Sequence, residues 1–242
     1  MSLIKPEWAL PPMVRAISST RVGGVSGAPW DSLNLGAHVG DNPLHVAANR
    51  QRLVELGAIP TQPLWLEQVH GTDVLHLTRN TPQTLCADAV YTREQGLPCA
   101  VMTADCLPVL FCSMDGKEVA AAHAGWRGLC AGVLEATLAA FQAPPEEVTV
   151  WLGPAIGPDA FEVGPEVREA FLAQNLHDAA AFRVAGEKYY ADIWQLARAR
   201  LNRSGVRHIT GGGLCTVSDP AKFFSFRRNG VTGRMASLIW LI

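Results

Sequence analysis

Between residues 99 and 123 the chain passes through three strand-length apolar runs in close succession, 99–103, 108–112 and 118–123. A strand with one wet face alternates apolar and polar side chains. These runs do not alternate, so both of their faces are predicted to be covered. That excludes a lone sheet with a solvent face and calls for a layered molecule. Further strand-like runs fall at 13–18, 73–77, 148–152, 206–210, 223–226 and 235–241. Helices are predicted between them. Asp41-Asn42-Pro43 offers a capping side chain and a first-turn proline, with Val46, Leu53 and Val54 on one face beyond it. A second helix is predicted over 128–141 and a third from Pro165. A fourth starts near Asp192, where Ile193, Leu196, Ala197 and Leu201 form a stripe. The expected fold class is α+β, with layered mixed β-sheets flanked by helices. No repeat, low-complexity tract or Pro/Ser-rich linker interrupts residues 1–242, which read as one continuous domain.

Composition removes several functional classes. Hydrophobic residues make up 48% of the chain, enough for a substantial core. Twenty Lys+Arg against 22 Asp+Glu give a net charge of −2, without the basic excess of a nucleic-acid binder or of a polybasic membrane-surface protein. No apolar run approaches the roughly 18 residues of a membrane span. Lys5, Pro6 and Glu7 interrupt the N-terminal segment, so no secretory leader is read there. The expectation is a cytoplasmic protein whose six cysteines are mostly free thiols.

Chemistry concentrates where apolar runs break into loops. His70 lies in Leu66-Glu-Gln-Val-His-Gly-Thr-Asp73, Cys106 in Met102-Thr-Ala-Asp-Cys-Leu-Pro108, and His123 in Ala120-Ala-Ala-His-Ala-Gly-Trp-Arg-Gly128. One thiolate and two imidazoles form a ligand set that suits zinc, and copper as well, and three protein ligands leave a fourth position open. The three are too far apart in sequence for a compact finger. From residue type and position, two readings stand: a catalytic metal site, or two satisfied core histidines and a core cysteine. Arg127, at a helix start bracketed by Gly125 and Gly128, is suited to phosphate or carboxylate, or is a surface residue on a structural turn. Arg227, Arg228 and Arg234 form a second basic cluster, which also fits a solvated hairpin. Asn34 is a weaker substrate-binding candidate, with turn closure as its alternative. Asp105 either orients a ligand or caps a loop. P-loop, dinucleotide GxGxxG, Gly-x-Ser-x-Gly and nucleobase-deaminase signatures are absent.

Several segments resemble the YfiH family, also called the laccase-domain or multicopper polyphenol oxidase family, in its enterobacterial type. They include Ser19-Thr-Arg-Val-Gly-Gly-Val-Ser26, Ser32-Leu-Asn-Leu-Gly-Ala-His38, Trp65-Leu-Glu-Gln-Val-His-Gly71, Ala122-His-Ala-Gly-Trp-Arg-Gly128 and Phe223-Phe-Ser-Phe-Arg-Arg228. The resemblance implies a zinc site on His70, Cys106 and His123. It also implies phosphorolysis of adenosine, inosine, guanosine and methylthioadenosine to base and sugar 1-phosphate. Adenosine deamination and a peptidoglycan editing role, acting on UDP-MurNAc-amino acid precursors, are implied as well. On that basis Arg127 is expected at the phosphate, with Arg228 or Arg234 in reserve, and Gln68 and Asp105 beside the ligands. Three competitors remain open. The first is a copper-dependent phenol oxidase, although seven histidines are few for four coppers. The second is a metal-free Cys106–His123 hydrolase acting on an amide. The third is a structural zinc protein, which lacks an obvious fourth ligand.

Overall fold

The computed structural model describes residues 3–82 and 86–242. Along the chain come strand β1 (Leu3–Ile4), β2 (Val14–Ser19), helix α1 (Pro43–Gly57), β3 (Val74–His76), β4 (Ala89–Thr92), β5 (Cys99–Thr103), β6 (Leu107–Ser113) and β7 (Val119–Ala124). Helices α2 (Trp126–Ala131) and α3 (Val133–Ala139) lead to β8 (Val148–Leu152), β9 (Glu162–Val163) and α4 (Pro165–Gln174). The chain continues through β10 (Phe182–Ala185), β11 (Lys188–Ala191), α5 (Ile193–Arg203), β12 (His208–Gly211), α6 (Phe226–Asn229) and β13 (Met235–Leu241). The class is α+β.

A six-stranded mixed sheet has the order β12-β8-β6-β7-β4-β3, a four-stranded sheet the order β1-β2-β13-β5, and a small sheet the order β10-β11-β9. The outer pairs of the large sheet are parallel and its inner pairs antiparallel.

The unbroken apolar runs follow from how these sheets stack. On β6, Val109 and Phe111 join a core cluster with residues of α3, α4 and α5, such as Leu134, Phe171 and Leu196. The intervening Leu110 and Cys112 face the opposite way, against Val101 of β5 and Ile239 of β13. On those strands Ala100, Leu238 and Trp240 in turn face Leu53 of α1. The order of layers is helices, six-stranded sheet, four-stranded sheet, α1. Every central strand is apolar on both faces because each face meets another layer.

Helix α1 begins where the sequence predicts, with the Asn42 side chain accepting from the Leu44 N–H. Asp192 caps α5 by accepting from Gln195 N–H at 2.9 Å. Two expectations need correction. The helix predicted over 128–141 is two helices, because Gly132 adopts φ +106° and ends α2 with a left-handed turn. Residues 223–226 do not form a strand. Phe223 and Phe224 are buried against Ala104 and Met235, and the Ser225 hydroxyl accepts from Arg228 N–H to cap α6. Aromatic anchoring, not sheet pairing, explains the apolar character of that run. Among the described residues no helix is long and apolar enough to cross a membrane.

Candidate metal centre

Strand pairing explains how distant residues converge. In the β6–β7 pair, Leu107 faces Ala124 and Pro108 faces His123, so Cys106, one residue before β6, comes to the end of β7. His70 arrives on the loop before β3 with φ +61°, a conformation costly for a residue with a side chain. The buried carboxylate of Asp88 holds it there. Asp88 Oδ1 accepts from His70 N–H at 2.9 Å, and Oδ2 accepts from Val69 and Gly71 N–H at 3.1 and 2.7 Å. The same Oδ1 lies 2.8 Å from His123 Nδ1. A carboxylate can only accept, so Nδ1 carries a proton and donates it, which leaves Nε2 as the atom that would ligate an ion once its own proton is lost. This is the carboxylate–imidazole arrangement that orients a metal-binding histidine.

The ligand atoms of His70, Cys106 and His123 lie within 4.8 Å of one another. Cys106 Sγ is 3.8 Å from His70 Nε2. A tetrahedral zinc with ordinary bond lengths sets sulfur and nitrogen about 3.5 Å apart, so the triad fits an ion after a closure of about 1 Å at its widest. Gly125 supplies the room. A Cβ there would sit 2.8 Å from His70 Cδ2 and 3.0 Å from Cys106 Sγ.

Electrostatics favour the ligating form of the thiol. Burial pushes Cys106 up, but the charge on His123 and hydrogen bonds from both imidazoles outweigh it and bring the thiol down to about 6. Burial pushes His123 down, while the Cys106 thiolate and the Asp88 hydrogen bond raise it to about 9. Asp88 is held below its ordinary value: burial opposes this, but hydrogen bonds from His123, Gly71 and Val69 prevail. All six cysteines are free. Burial pushes Cys215 up, but hydrogen bonds from Ser218 and from the Gly157 and Val217 backbone outweigh it and lower it. Cys99 and Cys112 are pushed up by burial.

The triad opens into a cavity of about 890 Å³. Gln68, Asp105 and Arg127 line it, as do Arg50, Arg227 and Arg234. Arg127 is exposed and stacks over the Trp126 ring, 4.5 Å from its centroid. The Gln68 amide donates to Met102 O at 2.7 Å and accepts from Met102 N–H at 2.8 Å, tying the His70 loop to β5. Asp105 caps a loop. Its oxygens accept from Thr216 and Ser225 hydroxyls at 2.6 and 3.0 Å and from Arg227 N–H at 2.6 Å, and these bonds hold its φ at +93°.

Two residues expected at the substrate lie elsewhere. Asn34 is fully buried and closes a turn, donating to Gly36 O and Asp41 Oδ2 and accepting from Gly36 and Arg234 N–H. The Arg228 guanidinium donates to the carbonyls of Thr216, Val217 and Phe223, which occupies it in holding the backbone. Sequence reasoning missed Asp88. Its signal is a lone carboxylate opening the apolar run Ala89–Thr92, where an unpaired charge would be costly.

A half-buried thiol and two imidazoles lining one cavity, with one imidazole oriented by a carboxylate, define a candidate three-ligand metal site. The chain belongs to the family described as multi-copper polyphenol oxidoreductase laccase, whose sequence model matches residues 15–242. It is 62% identical over 240 residues to the purine nucleoside phosphorylase YfiH of Escherichia coli K12, covering 99% of each chain. It is 53% identical to a purine nucleoside phosphorylase of Pseudomonas aeruginosa, covering 98% of each. A crystal structure of a Neisseria meningitidis protein superposes with a TM-score of 0.96 at 48% identity, covering 100% of this chain and 99% of the other. YlmD from Geobacillus stearothermophilus gives 0.90 at 33% identity, covering 99% of each.

Proposed function

We propose that the protein is a zinc-dependent purine nucleoside phosphorylase that converts adenosine, inosine, guanosine and methylthioadenosine, with phosphate, into free base and sugar 1-phosphate. The observation that carries this reading is the preset His70–Cys106–His123 triad at the floor of an arginine-lined cavity. The names of relatives more than 50% identical support the reaction class. In phosphorolysis a phosphate oxygen attacks C1′ of the sugar. The bond from C1′ to the base nitrogen breaks, and its electron pair leaves with the base, which takes up a proton. Positive charge develops on the sugar and negative charge on the base. Zinc, if bound by the triad, would supply a Lewis acid at the cavity. The chain's own groups do the rest: Asp88 fixes the His123 tautomer, Gln68 and Asp105 hold the loops that carry the ligands, and Arg127 offers a guanidinium to the anion.

The donor set favours zinc over a laccase-type copper cluster, since the triad holds two imidazoles where four coppers need many more. Cys106→Ala and His123→Ala are each expected to lose bound zinc and to lower phosphorolysis by at least about 100-fold. Metal analysis, together with ribose 1-phosphate formation from inosine and phosphate, tests this. Hypoxanthine release without phosphate would indicate hydrolysis instead, and turnover retained in a metal-free variant would overturn the metal role. Deamination of adenosine at the same site is tested by inosine formation without phosphate.

A second reading has its own observation. Cys106, His123 and Asp88 form a chain of thiol, imidazole and carboxylate, the order of a nucleophile, its base and an orienting group. In that case the thiolate adds to an amide carbonyl, for instance in a UDP-MurNAc-amino acid. The C–N bond breaks and the amine leaves with a proton from His123. Water then hydrolyses the thioester to regenerate the thiol, which is the editing role. Activity that survives chelation and is lost on iodoacetamide treatment selects this reading.

A further inference from the structure

On one side of the cavity three basic side chains gather, and sequence reasoning gave no role to two of them. Arg50 comes from α1, His38 from the loop after Leu35, and Arg234 from the residue before β13. Arg50 and Arg234 are both tied to the Asn34–Leu35 segment that leads to His38. Asn34 Oδ1 accepts from Arg234 N–H at 2.9 Å, Leu35 N–H donates to Arg234 O at 3.2 Å, and Arg50 Nε donates to Leu35 O at 3.0 Å. Arg234 lies along Gly36, where an added Cβ would meet its Cγ at 2.8 Å. Arg50 is stacked over Trp65, 4.4 Å from the ring centroid.

Among the described residues neither Arg50 nor Arg234 has a carboxylate within 4.0 Å. Arg50 spends only Nε on the protein, and Arg234 only Nη1, which donates to the Thr232 and Gly233 carbonyls. The remaining guanidinium donors have no protein acceptor among the described residues, and both arginines line the cavity. Burial lowers both arginines, and burial followed by the charges of Arg234 and Arg50 lowers His38. Partly buried positive charge without a counter-ion is costly, and an anion relieves the cost. Arg50, His38 and Arg234 line the same cavity as His70, Cys106 and His123, which places the cluster beside the metal triad.

We infer that Arg50, His38 and Arg234 form a binding site for a phosphoryl group next to the His70–Cys106–His123 triad. The inference deepens the phosphorolysis reading and rests on it for the source of the anion. A tetrahedral dianion offers several acceptor oxygens to two planar forks, the geometry at which arginine outperforms lysine. The anion is either inorganic phosphate or the phosphate ester of a nucleotide.

Binding of sodium phosphate, inosine monophosphate and inosine to the full-length protein, measured by titration calorimetry, tests the site together with steady-state kinetics. Arg50→Gln and Arg234→Gln are each expected to raise the phosphate KM and Kd by about tenfold or more, while the inosine KM stays within about twofold. Arg50→Lys, which keeps a charge, is expected to lose less. Arg52→Gln, an exposed arginine of the same helix whose guanidinium donates to Gly23 O, controls for general charge and is expected to change nothing. Melting temperatures of each variant exclude misfolding as the cause. Weakened inosine monophosphate binding, with no binding of free phosphate, supports the site and assigns it to a nucleotide ester. Unchanged phosphate and nucleotide affinity in both Gln variants overturns it, as does failure of the parent protein to bind either anion. Absence of nucleoside turnover with phosphate binding intact rejects phosphorolysis and leaves the site standing.

Discussion

At the scale of single residues, Asp88 determines how the candidate metal centre is held. One carboxylate fixes the His70 loop through three backbone N–H groups and orients His123 through Nδ1. Asp88→Asn keeps the shape but supplies an amide in place of a carboxylate. It is expected to weaken zinc binding by about 10- to 100-fold, measured by competition with a chromophoric chelator. Gly125→Ala is expected to lose zinc outright, because the new methyl would press on His70 and Cys106. The thiol gives a pH prediction. Cys106 is brought down to about 6, against the burial that would raise it, so in metal-free protein it is a thiolate above that pH and a thiol below it. Its alkylation by iodoacetamide is therefore expected to be fast at neutral pH and to fall as pH drops through about 6. An ordinary thiol loses reactivity two to three units higher, near about 8.5.

At the scale of elements, the break between α2 and α3 shows what periodicity can and cannot disclose. Leu134 and Leu138 keep helical spacing and are buried, so a helix was legible there. The left-handed turn at Gly132 was not, because a lone glycine inside an apolar helical pattern gives no sign of its φ. Gly132→Ala is expected to destabilise the fold by about 1–2 kcal/mol with zinc affinity unchanged, as read from urea unfolding and metal titration. The same distinction holds at the site. His70, Cys106 and His123, which the fold brings together, could be picked out as candidates because each stands where a strand-like run meets a loop. Asp88 and Arg50 were not, because their roles depend on how β4 pairs with β7 and where α1 lies against the Leu35 loop, and neither arrangement is written in local sequence.

At the scale of the whole molecule, the chain closes on itself through β13. This last strand pairs with β2 from the start of the chain and with β5 from its middle, and both its faces are buried. Deleting residues 235–242 would expose both partners and remove Leu238, Ile239 and Trp240 from two core clusters. The truncated chain is expected not to fold, checked by the yield of soluble protein and by circular dichroism. The stacking of sheets was legible from runs such as 108–112 that lack a polar face. The strand order was not, since pairings as distant as Ala16 with Ile239 leave no local trace.

The anchoring of His70 and His123 on one shared carboxylate also bears on how an ion comes and goes. Peptides that fold around their metal must organise the chain as they capture it, so a chelator unfolds them. Here two of the three ligands are tethered by hydrogen bonds internal to the protein, and the entropy of gathering them is spent during folding. Loading and stripping should therefore be reversible events on a standing scaffold, paced by passage through the cavity mouth, and the emptied protein should melt cooperatively.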